Sequence, residues 1–203
     1  DTKAPEAEAS EAGAAGGTFT VGFDQEFPPM GFVGDDGEYT GFDLEVAKEV
    51  AERLGLEFVP QPVDWAAKDM ELESGNIDCI WNGFTMTGRE DDYTWSEAYM
   101  ANQQVFVVTA ESGIKTLADL AGKVVEVQAE SSAEAALKDD PDLTGTFGTL
   151  QTTPDYNTAF MDLQMGAVDA IAMDEVVARF QIEQRQVDFI VLDETLAAEN
   201  YAV

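Results

Sequence analysis

The sequence predicts an α/β protein built as two similar lobes, each an open sheet flanked by helices. Three observations predict it. Short strand-like and helix-like segments alternate from residue 19 onward, which is the rhythm of an open α/β sheet. One segment, Leu72-x-x-Gly75-x-Ile77-Asp78-x-Ile80, recurs 91 residues later as Leu163-x-x-Gly166-x-Val168-Asp169-x-Ile171. The 203 residues leave room for two lobes of about 100 residues each. The alternative is a single doubly wound domain in which the internal similarity is coincidental.

Taken in order, residues 1–17 contain no large apolar side chain and end in Gly16-Gly17, so they read as a flexible acidic tether. Phe19 to Phe23 alternates like a strand, and Pro28-Pro29 forces a loop. Asp43 is expected to cap a helix whose apolar face is Val46, Ala47, Val50, Ala51 and Leu54, with Gly55 as its stop. Leu56 to Pro60 is the next strand, a helical stretch ends at Leu72-Glu-Ser-Gly75, and Ile77 to Asn82 is a short apolar strand. The second half repeats this with a strand at Val124 to Gln128, helices at Ser132 to Lys138 and Asp155 to Met165, and a strand at Val168 to Met173. In both copies of the repeat the glycine takes the left-handed conformation that ends a helix, and the apolar residues after it enter a sheet.

Composition narrows function. Asp and Glu number 41 against 10 Lys and Arg, a net charge of −31, of which the tether carries only about −3. Such a surface repels phosphate backbones and anionic headgroups, which excludes a general nucleic-acid or membrane-surface binder. No histidine and a single cysteine, Cys79, leave no Ser-His-Asp or Cys-His machinery and no ordinary zinc site, so neither a metal nor another cofactor is expected. Apolar residues make up 45% of the chain, ample for a core and too many for a disordered acidic tail. No apolar run approaches the ~18 residues of a membrane span, and no signal segment opens the chain, so Asp1 reads as a processed or artificial start.

Two lobes leave a cleft, and open α/β sheets bind ligands beyond the carboxyl ends of their strands. The strand at Asp78 to Trp81 runs into Asn82-Gly-Phe-Thr-Met-Thr-Gly-Arg89, and its counterpart runs into Asp174. One lobe thus offers a fixed cation and hydroxyls, the other a carboxylate. A zwitterionic α-amino acid requires both: Arg89 for the carboxylate, helped by Thr85 and backbone N–H groups, and Asp174 for the α-ammonium. Each residue also has a plainer reading. Arg89 precedes Glu90, Asp91 and Asp92 and fits a surface ion pair; Asp174 fits an N-cap for a helix from Glu175 to Gln184.

Gly41-Phe-Asp-Leu-Glu-Val-Ala-Lys-Glu-Val-Ala-Glu-Arg-Leu54, supported by Asp24 to Phe32, Asp64-Trp65, Leu72 to Asp78, Thr85 to Arg89 and Val168 to Asp174, resembles the polar-amino-acid group of bacterial extracellular solute-binding proteins. These are the ligand receptors of ABC importers. The resemblance implies a two-lobed periplasmic-binding-protein-like clamp, with lobe 1 at 18–109 and 198–203 and lobe 2 at 110–197. It implies hinge crossings near Val108 to Glu111 and Asp193 to Asn200. Arg89 would grip the α-carboxylate with Thr85, the Gly83 backbone and Ser132, and Asp174 would bind the α-ammonium. Phe27 and Trp65 would sandwich the ligand stem, Asp24 would face its tip, and Asn82, Gln128 and Ser131 would complete the site. The expected partners are a polar L-amino acid, arginine, lysine or glutamine ahead of glutamate, and the permease subunits in the membrane, with the receptor itself monomeric. Its place would be extracytoplasmic, as a lipid-anchored or periplasmic protein. Two other roles on the same clamp are a dehydratase-type enzyme with Glu130 or Asp174 as general acid, and a ligand-sensing domain. Three departures stand out: only Gly88 separates Thr87 from Arg89, Glu130-Ser131-Ser132 replaces a Gly-Ser-Thr run, and lobe 1 is expected to be cut short after Val203.

Overall fold

The computed structural model describes residues 16–203; most of the expected tether, residues 1–15, lies outside the described residues. In chain order the first half runs β1 (Thr18–Phe23), β2 (Glu26–Phe27), β3 (Gly31–Val33), β4 (Tyr39–Thr40), α1 (Phe42–Leu54), β5 (Glu57–Pro62), α2 (Lys68–Glu73) and β6 (Cys79–Ile80). The second half runs β7 (Met100–Thr109), β8 (Val124–Gln128), α3 (Ser132–Asp139), α4 (Pro141–Thr144), β9 (Thr149–Thr153), α5 (Tyr156–Met165), β10 (Ala170–Asp174), α6 (Glu175–Arg185), β11 (Phe189–Val191) and β12 (Ala197–Tyr201).

The first half forms a parallel sheet in the order β5-β1-β6, with β2, β3 and β4 as a small antiparallel sheet beside it. Val21 and Phe23 of β1 pack with Leu44 and Ala47 of α1 and with Trp81. The second half forms a six-stranded sheet in the order β11-β7-β10-β8-β9, with β12 also on β7. Alternation along its strands builds two cores. Val105, Val107, Ile171 and Met173 face α5 and α6, while Phe106, Val108, Ala170 and Ala172 face Leu120 and Leu137.

The boundary between halves differs from the expected one. Residues 108 and 109 lie inside the ladders of β7 with β10 and β11, so all of β7 belongs to the second sheet and no hinge lies at Val108 to Glu111. The chain crosses before Met100 and returns through residues 200–203. These crossings run side by side: Tyr99 N–H donates to the Tyr201 carbonyl at 2.9 Å and Ser96 N–H to that of Val203 at 2.8 Å. The last residues then join the first half, with Ala202 N–H donating to the Phe84 carbonyl at 3.0 Å.

The start of α1 also departs from expectation. Gly41, not Asp43, is the N-cap, and Asp43 sits fully buried in the first turn. Its Oδ2 accepts from Gly83 N–H at 2.5 Å and from the Tyr99 hydroxyl at 2.9 Å. Those contacts fix the rotation of α1, so its inner face is Asp43, Leu44, Ala47 and Ala51, while Val46 and Leu54 are 37% and 60% exposed. Asp43 thereby ties the helix to the loop that carries Thr85 and Arg89. The repeat glycines behave as read: Gly75 has φ 74 and Gly166 φ 73.

Burial pushes the Asp43 carboxyl up to about 7, against the lowering effect of its bonds from Gly83 and Tyr99. The unfolded chain releases this proton near pH 4 and the folded protein only near 7, so stability falls as pH rises through that window. Chemical denaturation should therefore give a higher midpoint at about pH 5 than at about pH 7.5, and Asp43→Asn should shrink the difference.

Candidate functional site

Between the two halves, Phe27, Trp65, Gly83, Thr85 and Arg89 of the first meet Gln128, Ser131, Ser132 and Asp174 of the second. They line one cavity of about 10 Å³, room for roughly a single water. Trp65 is held by the 3-10 turn after Asp64, whose carboxylate accepts from Ala66 N–H at 3.1 Å, and its ring meets Phe84 edge-on at 5.7 Å. Phe27 packs on Tyr156 with ring centroids 6.0 Å apart. Gly83 has φ 57, and a Cβ there would sit 3.1 Å from the Tyr201 ring and 3.2 Å from Phe27, so only glycine fits without displacing both rings.

Arg89 projects from the loop after β6, with its guanidinium carbon 5.2 Å from the Phe84 ring centroid. It donates to the carbonyls of Thr85 at 3.4 Å and Glu130 at 3.5 Å, both long bonds, and the second spans the two halves. Among the described residues no carboxylate lies within 4.0 Å of it, so the surface ion pair with Glu90, Asp91 or Asp92 is absent. Thr85 Oγ1 is buried in the same cavity wall without a hydrogen-bond partner. A guanidinium held only by two long bonds to carbonyls, beside a hydroxyl without a partner, is what an incoming carboxylate would satisfy. Across the cavity Ser131 caps α3 by accepting from Glu134 N–H at 3.1 Å, and Ser132 Oγ accepts from Gln104 at 2.9 Å. Glu130, just before this cap, has φ 59, the left-handed region that favours glycine.

Asp174 ends β10 and precedes α6, yet its side chain makes no capping bond. Instead Oδ2 accepts from Asn102 at 2.8 Å, Gln104 at 2.8 Å and the Tyr201 hydroxyl at 2.6 Å. Burial, and after it the nearby Glu199, hold this carboxyl well above the ordinary carboxylate range.

Asp24 and Asn82 are not brought to the cavity wall. Asp24 is buried, accepting from Glu26 N–H at 2.8 Å and from Gln128 Nε2 at 2.7 Å, so Gln128 stands between it and the cavity. Burial pushes the Asp24 carboxyl up to about 6. Asn82 Oδ1 is buried against Gly31, where an added Cβ would come within 2.7 Å of it.

Sequence reasoning missed Lys68, Asn102, Gln104, Glu199 and Tyr201. Lys68 is only 3% exposed, with Nζ 5.2 Å from the Trp65 ring centroid and 3.8 Å from the Asp69 carboxylate. Burial lowers its pKa. The signal for Asn102 and Gln104 was present: Asn102-Gln103-Gln104 is a polar run opening a strand that continues as Val105-Phe-Val-Val108. Gly83→Ala should destabilise the protein by about 1–3 kcal/mol through a strained φ and overpacking, read as a lowered denaturation midpoint. An unchanged midpoint would show that the rings of Tyr201 and Phe27 yield freely.

The site can now be set beside known proteins. A model of the bacterial extracellular solute-binding proteins, family 3, matches residues 19–183. The L-cystine-binding protein TcyJ of Escherichia coli (strain K12) is 32% identical over 190 residues, which cover 92% of this chain and 70% of TcyJ. The arginine-binding extracellular protein ArtP of Bacillus subtilis (strain 168) is 29% identical over 162 residues, 78% of this chain and 61% of ArtP. A solved ABC uptake transporter substrate-binding protein from Streptococcus pneumoniae, with bound histidine, superposes with a TM-score of 0.87 at 38% identity, covering 91% of this chain and 78% of that one. With a match that begins in β1 and ends within α6, the chain belongs to the bacterial extracellular solute-binding proteins, family 3.

Proposed function

We propose that the protein binds one polar L-amino acid between its two halves and delivers it to the membrane subunits of an ABC importer. The observation that carries this reading is the pairing, in one cavity wall, of an Arg89 guanidinium free of carboxylates with the buried carboxylate of Asp174. Arg89, Thr85 and the N-terminal turn of α3 at Ser131 and Ser132 take the α-carboxylate. Asp174 takes the α-ammonium, and Phe27 and Trp65 cover the stem. The names of the relatives support a polar amino acid as the class of ligand, and a family of solute-binding proteins is one of receptors rather than catalysts.

A cavity of about 10 Å³ is far smaller than an amino acid, so binding requires the walls to part and then close. The paired crossings at Ser96 to Met100 and Asn200 to Val203 are the place for that hinge, since few strands join the halves there. Asp24, bonded to Gln128 of the cavity wall, favours a ligand tip that donates hydrogen bonds, so arginine, lysine or glutamine is preferred to glutamate. The family places the protein outside the cytoplasm; attachment to the surface by a lipid, or a periplasmic location, and a monomeric state complete the proposal.

A thermal-shift screen of the twenty amino acids and L-cystine tests this. A ligand at 100 times its dissociation constant should stabilise the fold by about 2.7 kcal/mol, and silence with all of them would sink the reading. Arg89→Ala should remove every response, whereas Asp24→Ala should change which amino acid is preferred.

A further inference from the structure

Glu199, on the returning strand β12, is 6% exposed and has no assigned role in the site. Its Oε1 accepts from Asn102 Nδ2 at 2.7 Å and from Gln104 Nε2 at 2.8 Å. The same two nitrogens donate to Asp174 Oδ2, each at 2.8 Å. Two side-chain amides thus clasp two carboxyl groups together in the interior. Gln104 Nε2 is asked for three bonds, because it also reaches Ser132 Oγ, and an amide nitrogen carries only two hydrogens.

The surroundings offer little to neutralise the pair. Tyr201 already donates to Asp174, and the Tyr156 hydroxyl donates to the Ala172 carbonyl at 3.2 Å. Arg89 shares the cavity wall but is turned to the Thr85 and Glu130 carbonyls. Arg179 borders a hollow beside Glu199 but is paired with Glu175 at 2.6 Å, and the other hollow touching Glu199 is lined by Arg89, which makes no ion pair with Glu199, and by Asp139 and Asp140. Two adjacent buried carboxylates without a cation cannot both be ionised. Burial and the second carboxylate accordingly hold Asp174 well above the usual range. Thr85 Oγ1, buried and unpartnered in the same cavity, points independently to a polar ligand there.

We propose that Asp174 and Glu199 share one proton, and that the arriving α-ammonium of the ligand displaces it, so that the amino acid is taken up in exchange for a proton. The ligand keeps its own protons. One O–H bond of the pair is broken, its proton passes to solvent along the hollows that Glu199 borders, and the ammonium takes over the neutralisation of the two carboxylates. Glu199 thereby positions and tunes Asp174 without itself needing to touch the ligand. This rests on Asp174 as the ammonium site.

Isothermal titration of the wild-type protein with L-arginine, L-glutamine and L-cystine at about pH 6 to 7, where an α-ammonium stays protonated, should be run in two buffers of different ionisation enthalpy. For each probe that binds, the buffer dependence should report release of close to one proton. Its Kd should fall about tenfold for each unit of rising pH on the acid side of the pair's titration. Glu199→Gln, which keeps size and hydrogen bonding but removes the second charge, should reduce the proton release toward zero and flatten the pH profile. Binding by the wild type with no proton release overturns the exchange while leaving the amino-acid reading intact, and this holds even if Glu199→Gln fails to fold. No binding by any probe at any pH overturns both.

Discussion

The ladder between β7 and β12 is the constraint on which the site depends. It aligns Asn102 with Glu199, Gln104 with Ala197 and Met100 with Tyr201, so a strand from each crossing supplies one side of the buried polar network. Without it Asp174 would lose the Tyr201 hydroxyl, and Glu199 would lose both amide donors. The same ladder ends in the Thr85 to Tyr201 bridge, which carries the second sheet's register into the loop that presents Arg89. Position of the cation and position of the carboxylate are therefore set by one run of backbone hydrogen bonds. Crossings built this way are stiff along the strands and free to bend where the pairing ends.

The acidity of the chain acquires a division of labour. Among the described residues, Asp24, Asp43, Asp174 and Glu199 are buried with amide, hydroxyl or backbone donors and no basic partner. Burial pushes the Asp24, Asp43 and Asp174 carboxyls upward, so these three favour the protonated state and cost stability as pH rises. Their retention makes sense where a cation is to be received. On the other side, Lys68 and Arg89 place scarce positive charge beside the Trp65 and Phe84 rings, Lys68 also pairing with the Asp69 carboxylate at 3.8 Å.

Much of the fold was legible because it rests on local rules. The repeated helix stop at Gly75 and Gly166 and the strands that follow need only glycine's freedom and apolar burial. Nine of the eleven candidate residues line one cavity: Thr85, Arg89 and Asp174 could be read from the ends of strands, and the others were implied by the family resemblance. What was not legible depends on long-range partners. Asp43 looks like a cap until Gly83 and Tyr99, 40 and 56 residues away, are brought to it. Asp174 likewise looks like a cap until Asn102 and Tyr201 arrive. The extent of β7 was misjudged because a ten-residue strand can belong to either neighbour, and only its partners β10, β11 and β12 decide.

The central claim is that the two halves close over an amino acid. It is tested most directly by the distance between spin labels on exposed positions of the two halves, Lys48→Cys on α1 and Gln184→Cys on α6, in a Cys79→Ala background. Closure predicts a longer, broader distance distribution without ligand and a shorter, narrower one with a saturating amino acid identified by the thermal screen. An unchanged distribution with that amino acid bound would contradict it.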